Sequence, residues 1–291
     1  MTIPGCCAWA QSFFGVLWFG GMALSHDRGP MRILAVVLGL ALLLTACGQP
    51  ADPVRTTSMR ARLADSPHKI PVTVPVNPDP RVGPIFLLGG EILHTCTGSV
   101  VHSSTGDLIL TAAHCLAQGF PTTFVPGLAN AAAPSNVWTV DAVYLDPRWI
   151  AARDPHADYA ISRVSRAGGG SVEAQVGSAL LLGTAPAPGS QVSIIGYAAG
   201  VGVTPIGCEA STGITASGYP SFGCADLVVG TSGSPWISGS TVTGVTGGLE
   251  NGGCTPDVSY SAPFDEHTAA LLARAEAGGP GEAAPIAFFD C

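Results

Sequence analysis

Three short strings in the chain hold side chains suited to acyl transfer: Thr111–Cys115 (TAAHC), Asp158–Ile161 (DYAI) and Gly230–Trp236 (GTSGSPW). In chain order they supply His114, Asp158 and Ser232. A serine hydroxyl is a poor nucleophile at neutral pH and needs a base to take its proton. Imidazole suits that task because its ordinary pKa lies near neutrality. A buried Asp158 would hold the His114 ring in one tautomer and stabilise the imidazolium. Glycines flanking Ser232 let the backbone turn sharply, so that the Gly230 and Ser232 N–H groups can face a developing oxyanion. A donor of that kind contributes about 3–4 kcal/mol in the transition state. Each residue also has a plainer reading. His114 could be a core histidine, Asp158 a surface carboxylate with Asp154 as competitor, and Ser232 a turn serine with Ser234 as rival nucleophile. His94, His102, His156 and His267 lack any such context.

These strings need elements to carry them. Short β-like runs cover 85–88, 97–102, 108–112, 138–144, 159–164, 191–197, 227–229, 235–237 and 242–246, separated by Gly, Pro, Asn and Ser clusters. That pattern predicts an all-β sandwich or barrel. TAAHC arrives just after one run and DYAI opens another. Near the end, Asp265 can cap a helix through Thr268–Glu276, with Leu271, Leu272 and Ala275 on one face. No repeat is evident. An α/β-hydrolase reading fails, because its elbow needs glycine where Ser234 stands and the chain lacks alternating strand–helix units.

Composition narrows the class. The 38 Gly and 24 Pro suit many turns, and 47% apolar residues suffice for a sizeable core. The formal net charge is −8 and Lys69 is the single lysine, so nucleic acid is not an expected partner. No CxxC or HExxH spacing argues for a metal, and no phosphate or dinucleotide loop is present, so no cofactor is expected.

Residues 31–47 (MRILAVVLGLALLLTAC) read as a signal peptide, whose apolar core Ile33–Leu44 is too short to span a bilayer comfortably. Its Leu44-Thr45-Ala46-Cys47 ending resembles a bacterial lipobox, which implies a lipid on Cys47 and a membrane partner through that anchor. An ordinary secretory signal with an incidental cysteine is the alternative. Residues 1–30 fit this poorly and read as a gene-model extension, with Met31 or Met22 as the start. Residues 48–81 are polar and proline-bearing, with five basic side chains against three acids, and are expected to be a flexible tether. Anionic lipid nearby would suit that charge. One folded unit is expected over 82–291, where five Arg face sixteen acids. Export admits disulfides. Cys96, Cys115, Cys208, Cys224, Cys254 and Cys291 then form an even set of six, with fifteen possible pairings.

From about residue 82 to 276 the chain resembles the trypsin-like, chymotrypsin-fold serine peptidases, in particular bacterial secreted members. The resemblance rests on CTGSVV followed by TAAHC, on DYAI, on GTSGSPW and on VTGVTGG (Val242–Gly248), with His, Asp and Ser in that family's order. It implies two packed six-stranded antiparallel β-barrels with a short C-terminal helix, and a monomer acting on polypeptide. It further implies that His114, Asp158 and Ser232 are catalytic, Gly230 and Ser232 form the oxyanion hole, and Thr246, Gly247 and Gly248 bind substrate backbone. Asp226, six residues before Ser232, would sit at the base of the specificity pocket and select Arg or Lys. Against that, Cys224 lies eight residues before the serine rather than four, which favours Asp226 as an ordinary loop acid; Val258 would narrow the pocket. Cys96–Cys115 looks like the family's histidine-loop disulfide. The other four cysteines pair either as Cys208–Cys224 with Cys254–Cys291, or as Cys224–Cys254 with Cys208–Cys291. Thr231 replaces the aspartate that animal trypsins pair with a freed N-terminus, implying an oxyanion hole formed without that switch. An inactive protease-fold surface module remains the alternative to an enzyme.

Overall fold

The computed structural model describes residues 70–88, 94–199 and 204–285. Six strands close into a barrel in the order β2-β3-β4-β7-β6-β5. They are β2 (Val82–Leu87), β3 (His94–Val100), β4 (Leu108–Thr111), β5 (Thr122–Phe124), β6 (Trp138–Leu145) and β7 (Ala160–Ser165), all paired antiparallel. Every residue of β4 is buried. Alternation is therefore lost there, as expected for a strand covered on both faces.

The second sheet has eight strands: β1 (Val74–Pro75), β8 (Leu181–Leu182), β9 (Gln191–Gly196), β10 (Ile206–Ile214), β11 (Pro220–Gly223), β12 (Pro235–Ser238), β13 (Thr241–Val245) and β14 (Val258–Tyr260). Their order is β14-β11-β10-β9-β12-β13-β8, with β1 added on β10. All pairs are antiparallel except β13 with β8. This half of the fold is a half-barrel rather than a second closed six-stranded one: β8 and β1 are two-residue strands that extend the sheet without joining its ends.

One core is shared by both halves. Val82, Leu108 and Ile161 of the first barrel are buried with Val242 and Val245 of the second sheet and with Leu271 and Ala275 of a helix. That helix, α3 (Glu266–Ala277), follows the short helices α1 (Pro147–Ala152) and α2 (Val172–Val176) and is capped by Asp265, whose carboxylate accepts from His267 N–H at 2.8 Å while its own N–H donates to Thr268 Oγ1. The cap stands at the residue expected from the sequence, because a carboxylate satisfies amides of the first turn that have no partner in the helix.

The expected tether needs correction at its C-terminal end. Residues 70–76 lie along the second sheet: Val72 bridges Ala225, Ala225 N–H donates to Pro71, Thr73 N–H donates to Ala225, and Val76 N–H donates to Pro205. The Pro71 and Pro75 rings lack N–H, yet the segment pairs at a sheet edge, where a missing donor costs little. Residues 1–69, which hold the expected extension, the signal with Cys47 and most of the tether, and Cys291 lie outside the described residues.

Candidate active site

His114 sits in a single 3-10 turn, Ala113–Cys115, immediately after β4. The turn is held from both sides. Cys115 is bonded to Cys96 of β3, with Cα atoms 5.9 Å apart, and Ala113 and Leu116 are buried with Leu145, Trp149 and Ala284. Ala284 belongs to the chain after α3, which crosses the first barrel through Glu282 N–H to Val143 and Gln118 N–H to Ala284 O.

Asp158 is brought in by two capped turns. Asp146 caps α1 (Pro147–Ala152) by accepting from Arg148 N–H at 2.8 Å, and Asp154 caps the turn Pro155–Ala157 by accepting from His156 N–H at 2.9 Å. Arg153, in the left-handed region at φ 52°, ends α1 between them. The competitor Asp154 is thus committed to His156. Beside Asp158, Tyr159 O–H donates to Asp146 at 2.7 Å, and Arg148 reaches both groups. Burial opposes the Asp146 charge, but Arg148, Tyr159 and the Arg148 amide outweigh it and hold the carboxyl at about 2. This brace carried no recognisable sequence signal.

The two residues meet closely. Asp158 is fully buried, and its carboxylate accepts from His114 N–H at 2.9 Å, from the His114 ring at Nδ1 at 2.7 Å and from Gly248 N–H at 2.7 Å. A carboxylate can only accept, so Nδ1 carries the proton and Nε2 becomes the basic nitrogen. Burial is the largest influence on Asp158 and opposes its charge. The His114 charge and hydrogen bond, with the Gly248 and His114 amides, overcome that and keep its pKa below the ordinary carboxylate range.

Ser232 is half-buried in the turn between Leu227 and β12. Two glycines are needed there. Gly230 has φ +98°, and a Cβ on it would lie 2.2 Å from Ala199 N; Gly233 has φ +78°, and a Cβ on it would lie 2.2 Å from both Thr111 Oγ1 and Thr97 O. Buried threonines pin the loop to the strands leading to His114. Thr97 N–H donates to Ser232 O at 2.7 Å, Thr97 Oγ1 donates to Gly230 O at 3.0 Å, and Thr111 Oγ1 donates to Thr97 O at 2.8 Å. Thr231 is buried and satisfies its own hydroxyl on Val228 O at 2.8 Å. The Gly230 and Ser232 amides donate to no described residue.

A cavity of about 360 Å³ opens beside Ser232, walled by 227–229, Thr231, Thr246, 250–253 and Ser259. Of the expected substrate residues, only Thr246 lines it. Gly247 N–H is bonded to Tyr260 O, and Gly248 N–H is spent on Asp158. Asp226 is not at the cavity: it is exposed, at φ 66°, with its N–H on Pro256 O and its carbonyl accepting from Thr73. The reason is the path of the loop. Cys224 is tied to Cys208 of β10, and Ala225 pairs with Val72, which draws residue 226 toward the outer strand. Val258 likewise does not line the cavity; Ser259 does.

The Cys208–Cys224 bond rules out the pairing of Cys224 with Cys254. Cys254 is disulfide-bonded, and its expected partner Cys291 lies outside the described residues. Ligand atoms of Cys96, His114 and Cys115 lie within 4.8 Å of one another, but both sulfurs are consumed by the disulfide and offer no thiolate to a metal.

Residues 96–245 match the family model of the trypsin-like peptidase domain. No curated protein matches the chain. Among solved structures, the protease Anisep from Arthrobacter nicotinovorans aligns with TM-score 0.61 and 24% identity, over 71% of this chain and 100% of its own. A thermostable serine protease, AL20, from an extremophilic microorganism aligns with TM-score 0.60 and 22% identity, over 69% of this chain and 99% of its own. Human heparin binding protein aligns with TM-score 0.57 and 15% identity, over 74% of this chain and 100% of its own. The fold is all-β and chymotrypsin-like.

Proposed function

The chain belongs to the trypsin-like peptidase domain family, and from that premise we propose that it is a serine endopeptidase using His114, Asp158 and Ser232. The observation that carries this reading is the buried Asp158 carboxylate, which binds His114 at both its backbone N–H and Nδ1. That arrangement supports Nε2 as the base.

In the proposed reaction, Ser232 Oγ attacks the scissile carbonyl carbon while its proton passes to His114 Nε2. The carbonyl oxygen takes the negative charge and is met by the Gly230 and Ser232 N–H groups, whose lack of any described partner supports that role. The C–N bond then breaks, the amine leaves with the proton from Nε2, and an acyl-enzyme on Ser232 remains. Water attacks the ester by the same route, giving its proton to Nε2, and Ser232 Oγ recovers it as the acid leaves. Asp158 stays ionised throughout and stabilises the imidazolium. Thr231 needs no external partner, which supports a nucleophile loop that forms without a freed N-terminus.

We place the enzyme outside the cytoplasm, anchored through a lipid on Cys47. Three disulfide-bonded cysteine sites, at Cys96–Cys115, Cys208–Cys224 and Cys254, support an oxidising compartment. Mass spectrometry of the mature N-terminus tests the anchor, which an unmodified terminus other than Cys47 would remove. For the chemistry, a fluorophosphonate probe should label the wild type, with Ser232→Ala abolishing the label. Equal labelling of the two, or none of the wild type, overturns the enzyme reading and leaves a protease-fold binding module.

A further inference from the structure

Resting on that reading, we infer that Glu250, not Asp226, selects the substrate side chain that precedes the scissile bond, and that it selects a cationic one. Glu250 lies on the wall of the cavity that Ser232 also lines. Among the described residues forming that wall it is the one ionisable side chain. Its carboxylate makes no ion pair or hydrogen bond with any described residue, whereas its carbonyl accepts from Gly253 N–H. The backbone is therefore held, and the exposed charge has no partner among the described residues.

The backbone there is also strained. Glu250 and Asn251 both occupy the left-handed region, at φ 52° each, in a loop where glycines stand close by at 252 and 253. Left-handed geometry costs a non-glycine residue about 1–2 kcal/mol. Strain of this kind persists where the surroundings over-determine it, and it gathers at functional sites. Here it holds a carboxylate-bearing residue on a substrate cavity, anchored by a bonded cysteine four residues on.

The rest of the cavity suits a long cationic side chain. Val228 and Val229 are exposed on its wall, at 46% and 72%, despite their apolar character. A lysine or arginine stem buries apolar carbons against such a surface while its charged head seeks a carboxylate or water. An acidic side chain would meet Glu250 with like charge, and an alkyl side chain would gain the valines but leave the carboxylate unmatched.

The test uses the full-length enzyme and three fluorogenic peptides that differ only in Arg, Leu or Glu before the cleaved bond. Wild type should favour Arg over both others. Glu250→Gln should reduce the Arg-to-Leu ratio of kcat/KM by about 10–100-fold, the value of one charge-assisted hydrogen bond. Glu250→Lys should raise the Glu peptide above the Arg peptide. Benzamidine, a small arylamidinium cation, should slow fluorophosphonate labelling of the wild type and lose that effect in Glu250→Gln. An active wild type whose Arg-to-Leu ratio is unmoved by Glu250→Gln, or which favours Leu or Glu, overturns the inference while leaving the peptidase reading intact. A wild type that neither labels nor cleaves overturns both.

Discussion

Replacing Asp158 with asparagine conserves volume but removes the charge and one acceptor from a site with three donors. The carboxylate accepts from His114 N–H on one oxygen and from His114 Nδ1 and Gly248 N–H on the other. An amide has only one acceptor atom. If its oxygen keeps the Nδ1 and Gly248 bonds, its NH2 faces the His114 backbone N–H at about the present 2.9 Å. If it is flipped, the NH2 faces Gly248 N–H and drives the imidazole to the Nε2–H tautomer, which cannot take a proton from Ser232. Either way one buried amide loses its partner, a cost of about 1–3 kcal/mol in stability.

The catalytic cost is larger. A wrong tautomer or an unsupported imidazolium in such a triad lowers kcat by about 10⁴-fold, equivalent to about 5.4 kcal/mol. Steady-state hydrolysis of a fluorogenic peptide by Asp158→Asn measures this directly. Stability supplies an independent readout. The folded-state pKa of Asp158 is depressed, so its charge stabilises the fold above the unfolded carboxylate value, and that stabilisation is lost as pH falls through the folded value. The stability gap between wild type and Asp158→Asn should accordingly shrink between about pH 5 and the lowest pH at which the protein stays folded. Activity within tenfold of wild type, or a gap that widens on acidification, would refute the role assigned to this carboxylate.

Two further outcomes follow from the surroundings of the site. Ser234 is fully buried, and its hydroxyl has no partner among the described residues. Ser234→Ala removes that unpaired group and should stabilise the fold by about 1 kcal/mol, raising Tm by about 2–4 °C, while fluorophosphonate labelling persists; loss of labelling would make Ser234 the nucleophile instead. The Cys96–Cys115 bond closes a loop with a sequence separation of 19. On the chain-entropy account its removal in Cys96→Ala/Cys115→Ala costs about 3 kcal/mol, seen as a lower midpoint in denaturant; an unchanged midpoint would show that the packing of Ala113 and Leu116 alone holds the histidine turn.

What could be read from the chain, and what could not, divides along a physical line. Runs buried in the barrel wall were legible: 108–111 is buried throughout and 160–164 all but for half-buried Arg163, and Asp265 caps α3 by chemistry local to one turn. Ile206–Ile214 (IGCEASTGI) was missed although Ile206, Cys208, Ala210 and Ile214 fall on alternate positions, because its glycines and small residues have weak strand propensity; pairing with β9 and β11 makes it a strand. The opposite error fell at 227–229. Its apolar, β-branched run suggested a strand, but these residues form a turn whose valines face solvent and the cavity. Apolarity alone does not distinguish a side chain awaiting a core from one awaiting a substrate. Gly248 was expected to touch substrate backbone, yet its amide serves Asp158, and an amide leaves no trace in residue type.

Asp226 shows why spacing along a loop fails where spacing within a turn succeeds. Within GTSGSPW the turn itself is shaped by near neighbours, with Thr231 N–H and Oγ1 on Val228 O, Ser234 N–H on Thr231 O and left-handed glycines at 230 and 233, while Thr97 and Thr246 tie the finished turn to the two sheets. The shape of the turn that presents Ser232 is therefore encoded in the string itself. Residue 226 lies only six places upstream, but its anchors are remote in sequence, at Cys208 through the disulfide and at Val72 through the strand bridge. Glu250 is eighteen places downstream and still reaches the cavity, because the tight turn at 249–252 and the bonded Cys254 return the chain to it. A count of residues fixes a place in space only when both ends of the count share the same anchors, and that condition holds for the nucleophile loop and fails for the acid ahead of it.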